Sequence, residues 1–272
     1  MGTRVRWVLS LALLVVLAGA WLRPLDDSAA LQVDSGLKRA LASFAAARAL
    51  NAVISVAQGT EVAVQPAGVG VTFTPGQVLD PINDLVEQFS TLMLAASVSF
   101  GIQRALLAAG AHWVVSLLLT GVALAWVAAC WKGRIPPGWL TRVLVGLLLL
   151  RFAVPVVALA SEAGFRGFLA QDYVAGQASI ELSTEQFTSL SAPADPARPD
   201  ESVAERMKRW WSQTADVGKR FDEMKQVAAR TVEQIVKLIV VFLMQTLVLP
   251  LLLMWVLWRF SRLLVAWSAR GR

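Results

Sequence analysis

From Ala111 to Trp131 the chain holds neither a charged residue nor a proline. Backbone groups in hydrocarbon must be satisfied within their own segment, so such a run folds as a helix that crosses a bilayer core of about 30 Å. Three more apolar runs, Trp7–Leu22, Val143–Ala160 and Ile235–Trp258, bring the expected spans to four. The chain is 56% hydrophobic with mean hydropathy +0.58, which is too apolar for a soluble domain. Trp7, Trp21, Trp113, Trp131, Trp139 and Trp258 lie at the ends of apolar runs, where indole rings favour the membrane interface.

Charge placement gives the orientation. With the N-terminus in the cytoplasm, Arg4, Arg6, Lys132, Arg134, Arg142, Arg259, Arg262, Arg270 and Arg272 all fall on the cytoplasmic side, and no acidic residue joins them. The formal charge of +6 is then a positive-inside bias rather than a nucleic-acid footprint. The expected localisation is a bacterial inner membrane with both termini cytoplasmic and residues 23–110 and 161–234 periplasmic. The fold class expected is an all-α polytopic membrane protein. It has four transmembrane helices and a small, mainly helical periplasmic domain containing a short β-hairpin.

In chain order, residues 1–22 read as a signal-anchor or a cleavable signal peptide, with an Ala18-Gly19-Ala20 site. The periplasmic segment 23–110 begins with an amphipathic helix over Gly36–Gln58, on whose buried face Leu37, Leu41, Phe44, Leu50, Ile54 and Ala57 are expected. Alternation at Val62, Val64, Val69, Val71 and Phe73 predicts the hairpin. Asp80 as N-cap and Pro81 at the first helical position predict the next helix start. Leu85–Leu107 is expected to lie outside the hydrocarbon, because its uncharged stretch Phe89–Ile102 is only fourteen residues. The span 111–131 follows, then a cytoplasmic loop 132–142 that turns at Pro136-Pro137-Gly138. The span 143–160 comes next, then the periplasmic segment 161–234 with a long amphipathic helix 200–234. The span 235–258 and a basic cytoplasmic tail 259–272 close the chain.

Two helix surfaces stand out. Ser97, Gly101, Ala105 and Ala109, with Gly121, Ala125 and Ala129, repeat small residues every four positions and allow close helix approach. Val203, Met207, Trp210, Val217, Phe221 and Met224, continued through Ala228, Thr231, Ile235, Leu238 and Phe242, form a heptad seam. The small-residue ridge is its expected partner.

Reactive groups are sparse. His112 has no Cys, Asp or Glu cluster around it, and Cys130 has no second cysteine to pair with. No nucleophile, zinc or phosphate-loop motif occurs, so neither a metal, a cofactor nor an enzymatic activity is expected. Arg151 is the costly residue, at about 2.5 kcal/mol or more in mid-span. Residue counting places Thr120 and Gln245 at a similar depth, which predicts an intramembrane polar layer of Arg151, Gln245 and Thr120.

The function expected is a non-enzymatic inner-membrane scaffold or adaptor whose periplasmic helices mediate homo- or hetero-oligomeric assembly. Its partners are the lipid bilayer and a protein or second copy, not nucleic acid; no small-molecule ligand is indicated. The alternative is a transporter or channel component with the polar layer around Arg151. A membrane enzyme acting on lipid or cell-wall material would require paired exported acids, and none are evident.

Overall fold

The computed structural model of the 272-residue chain describes residues 3–59, 62–64, 71–73, 76–132, 136–190 and 203–270. Its helices are α1 (Thr3–Leu22), α2 (Pro24–Gly59), α3 (Gly76–Gly110), α4 (Trp113–Trp131), α5 (Gly138–Gly164), α6 (Ala170–Leu190), α7 (Val203–Leu243) and α8 (Leu249–Arg270). A π-helical turn, Phe165–Leu169, links α5 to α6, and a second, Met244–Val248, links α7 to α8.

This architecture corrects the expected fold class. Among the described residues five helical stretches, not four, are long and apolar enough to cross a membrane: Pro24–Gln58, Leu79–Gly110, Trp113–Trp131, Gly138–Ser189 and Asp222–Leu263. Ser10–Leu22 is a shorter apolar helix. The long apolar helices suggest a membrane protein. The physical reason for the discrepancy is length. The uncharged stretch Phe89–Ile102 is short by itself, but it lies inside a 35-residue helix with ample apolar surface on either side. The expected small domain with a β-hairpin is overturned as well, because the fold is built of helices. Among the described residues extended structure amounts to two three-residue pieces paired antiparallel, with Val62 opposite Phe73 and Val64 opposite Val71.

Two local expectations also fail. Helix α3 starts at Gly76, so Pro81 falls inside it rather than at its first position. Asp80 accepts a 2.9 Å bond from Gln58 Nε2. The stretch after Gly164, where the only helix expected begins at residue 200, is helical through Leu190.

The chain divides into two compact units. The first comprises Met1–Arg39, Ala96–Phe168 and Leu243–Arg272. In it α1 packs on α4, α4 on α5, and α5 on α8. Leu17, Ala20, Leu119, Ala123 and Leu144 make a core that Trp126 and Phe152 border. Indole N–H groups tie neighbouring helices: Trp131 donates to Ser10 Oγ, Trp21 to Thr120 Oγ1 and Trp126 to Thr141 Oγ1, each at 3.2 Å. Each bond satisfies a polar group that hydrocarbon would leave unpaired. His112 caps α4, its Nδ1 accepting from the Val114 N–H at 3.4 Å.

The second unit comprises Ala40–Ala95 and Leu169–Phe242. Each of its four helices buries residues at alternating spacings of three and four. These are Ala40, Ser43, Ala47, Leu50, Ile54 and Ala57 on α2, and Leu79, Ile82, Val86, Phe89 and Met93 on α3. On α6 the stripe is Ile180, Ser183 and Phe187, and on α7 it is Met224, Ala228, Thr231, Ile235, Leu238 and Phe242. That spacing is the signature of knobs-into-holes bundle packing. On α2 the buried stripe falls one residue away from the expected Leu37 and Leu41, the latter being 45% exposed.

Candidate functional site: two buried charge clusters

Sequence places Asp26 beside Arg151 through a break in the helix. Pro24 has no N–H and disfavours helical geometry in the residue before it. Helix α1 therefore ends at Leu22, and Arg23 takes a left-handed φ of 57°. The Arg23 N–H still bonds Gly19 O at 3.2 Å, and its carbonyl accepts from Asp26 and Asp27 as α2 begins. Asp26 thereby sits one turn into α2. Its Oδ1 and Oδ2 accept from Arg151 Nη1 and Nη2 at 2.7 and 2.5 Å, and Ala20 O accepts a further bond from Nη2 at 2.9 Å. Arg151 is 1% exposed, so the paired fork takes the place of water around it. Pro155 lies four residues on in α5, so the Arg151 carbonyl lacks its usual helical donor. Gly110 comes close to this backbone: a Cβ there would stand 3.2 Å from Leu150 O.

The second cluster centres on Glu162, also buried. Its Oε1 accepts from Arg39 Nη1 at 3.2 Å and Arg166 Nε at 3.0 Å. Its Oε2 accepts from Arg39 Nη2 at 2.6 Å and Gln245 Nε2 at 3.3 Å. Arg166 also donates to Gln32 Oε1 at 2.6 Å, and the Arg39 guanidinium lies 4.0 Å from the centre of the Phe165 ring. Two arginines share one carboxylate, leaving the cluster net positive. Both π-helical turns touch it: Phe165 opens one, and Gln245 lies in the other. In the latter the Leu249 N–H reaches back five residues to Met244 O just before Pro250. Such turns re-aim side chains within a helix and often mark functional positions. Gln245 Oε1 and Ser161 Oγ are buried without hydrogen-bond partners.

No protein-family model, curated protein or solved structure matches the chain. Any functional reading therefore rests on these side chains.

The three residues of the expected polar layer each bond to partners outside it. Arg151 pairs with Asp26, Gln245 with Glu162, and Thr120 with Trp21 and the Ser116 carbonyl. Asp26, Glu162 and Arg39 were the residues that sequence reading missed. One signal could have found the two acids: a mid-span arginine demands a carboxylate, and Asp26 and Glu162 are among the acids close to the ends of the apolar runs.

The ridge residues Gly101, Ala105 and Ala109 on α3 and Gly121 and Ala125 on α4 are exposed, whereas Ser97 is buried and Ala129 half-buried. A Cβ added at Gly101 or Gly121 would meet no atom within 4 Å. From Met224 to Phe242 the seam is buried, and its neighbour is α6. Thr231 Oγ1 donates to Ser183 Oγ at 2.8 Å, Tyr173 meets Phe242 edge-on at 5.9 Å, and Gly176 makes room for Leu238. The side chains of Val203, Met207, Trp210, Val217 and Phe221 lie outside the described residues. Among the described residues no group of three or more His, Cys, Asp or Glu gathers as a metal site.

Proposed function

We propose that the protein is a non-enzymatic scaffold of a bacterial inner membrane that assembles with a second copy or a protein partner through the α3–α4 face. The observation that carries this reading is the open ridge of Gly101, Ala105 and Ala109, continued by Gly121. Apolar side chains border it, with Val98 and Ile102 both 55% exposed. Small residues at four-residue spacing let backbones meet closely, and in lipid that dispersion contact is a principal source of helix association. The charged side chains of the two clusters meanwhile bond to one another, which suits a rigid frame rather than a reacting centre. The basic residues orient the ends holding Lys132 and Arg142 toward the cytoplasm.

The test is native mass and cross-linking of the detergent-solubilised chain, with Gly101→Leu and Ala105→Leu compared with wild type. Assembly that persists in wild type and is lost in both variants supports the scaffold. A wild-type monomer without a co-purifying protein overturns it. The second reading, a transporter or channel component, draws on the two π-helical turns beside Glu162 and Gln245. A ring-shaped oligomer whose ion flux disappears in Gln245→Leu would favour it.

A further inference from the structure

A groove of about 520 Å³ opens on the first unit between α1, α5 and α8, with Leu25 of α2 at its edge. Its walls include Val16, Gly19, Leu148, Phe152 and Phe260, and Ser261 is its one polar side chain. That volume falls within the range of sites that bury a small organic molecule, about 300–1,000 Å³. The lining excludes a polar ligand, since nothing in it could replace the lost water except a single serine.

Length and charge select the occupant. Along α5 the groove runs from Val145 to Val156. At about 1.5 Å per residue that is roughly 16 Å, close to one leaflet's half of a core of about 30 Å. Arg142, exposed, stands three residues before Val145 and hence on the same face of α5, one turn beyond the Val145 end. Arg262, beside Ser261, is turned toward a ring outside the groove, its guanidinium carbon 4.9 Å from the Trp258 centroid. The groove therefore presents a one-leaflet apolar trough with the exposed Arg142 past one end.

We infer that this groove holds an acyl chain of an anionic phospholipid, whose phosphate is received by Arg142. Gly19 contributes because a side chain there would project into space that the chain fills; a Cβ at Gly19 would meet no protein atom within 4 Å. The site lies on α1, α5 and α8, whereas the proposed assembly ridge lies on α3 and α4, so the two proposals fail independently.

The experiment is native mass spectrometry of the delipidated full chain, titrated with phosphatidylglycerol or with phosphatidylcholine. One phosphatidylglycerol should bind ahead of all later lipids, and about fivefold more tightly than phosphatidylcholine, as expected for one basic residue at an anionic headgroup. Arg142→Gln should remove that preference, and Arg142→Lys should retain it. Gly19→Leu, which fills the trough, should abolish the first binding event for both lipids. Arg142 is exposed, so its variants test the headgroup contact without disturbing the core. Equal binding of the two lipids by wild type, or an undiminished preference in Arg142→Gln, overturns the proposal. So does a change of oligomeric state in Gly19→Leu with lipid binding intact, which would assign the groove to a second copy.

Discussion

The two units bury polar groups in different ways. In the second unit the interior polar atoms belong to uncharged side chains, hydroxyls and amides: Ser43 donates to Gln177 Oε1 at 3.0 Å, Thr231 meets Ser183, and Asn51 Oδ1 and Asn83 Oδ1 are buried. Two of these hydroxyls also have a partner on their own helix. Ser183 Oγ donates to Ser179 O, and Thr231 Oγ1 lies 2.7 Å from Val227 O, so its single proton serves either that carbonyl or Ser183 Oγ. In the first unit the buried polar groups include charges besides hydroxyls and the Gln245 amide, and the carboxylate that pairs with Arg151 lies on another helix. Hydroxyl contacts leave a helix free to shift without stranding a donor. A buried ion pair fixes register, because separating it leaves a charge without solvent.

The largest effect should come from breaking that pair. Asp26→Leu leaves Arg151 buried and unmatched, and the expected loss is about 4 kcal/mol. Asp26→Leu combined with Arg151→Leu should recover most of it, since replacing both ions by apolar groups is often neutral. Unfolding of the micelle-bound protein by a denaturing detergent measures both. A double variant as unstable as the single one would show that shape, not charge, holds this contact.

In the second unit the comparable change is steric. Ile235 is fully buried in the seam, and Ile235→Ala should cost about 3 kcal/mol through lost burial and a residual cavity. Gly36→Ala, in the first unit, should cost about 2 kcal/mol, because a Cβ there would stand 2.4 Å from Phe100 Cε1 and force the ring aside. The same unfolding assay ranks them. Thr231→Val should cost only about 1 kcal/mol, since Ser183 keeps its bond to Ser179 O. A loss of several kcal/mol there would contradict the distinction between the units.

The same distinction governs what the sequence made legible. Helix α4, Trp113–Trp131, was readable almost to the residue, because hydrocarbon-length apolar runs permit little else. The seam of α7 was readable where large residues mark it, at Ile235, Leu238 and Phe242. On α2 the stripe was readable at Leu50, Ile54 and Ala57, but its first half and the stripe on α6 were not, because Ala40, Ser43, Ala47, Gly176 and Ser183 occupy positions where bulky apolar residues advertise a core. Tight packing of small residues leaves no hydropathy signal. At the site, Arg151 announced itself by its cost, but Asp26 is 125 residues away and reaches it only through the backbone reversal at Arg23. Residue counting assumed straight, parallel rods and so grouped Thr120 and Gln245 by depth. The π-helical turn at Met244–Val248 and the break at Arg23 both defeat that assumption.

The smallest predicted effect is the most informative about assembly. Gly101 lies in the interior of α3 with open space where its side chain would be. Alanine there removes the conformational entropy penalty of glycine, so the isolated chain should gain about 0.5–1 kcal/mol. Gly36→Ala is the same substitution in the same unit with the opposite sign, because Phe100 already fills that space. If a second helix docks on the ridge, the added methyl at Gly101 holds the two backbones apart, and dispersion contact weakens steeply with separation. Gly101→Ala should then stabilise the monomer while lowering the fraction assembled, with unfolding and native mass read on the same sample. A variant that is more stable and equally assembled would move the interface off this face of α3.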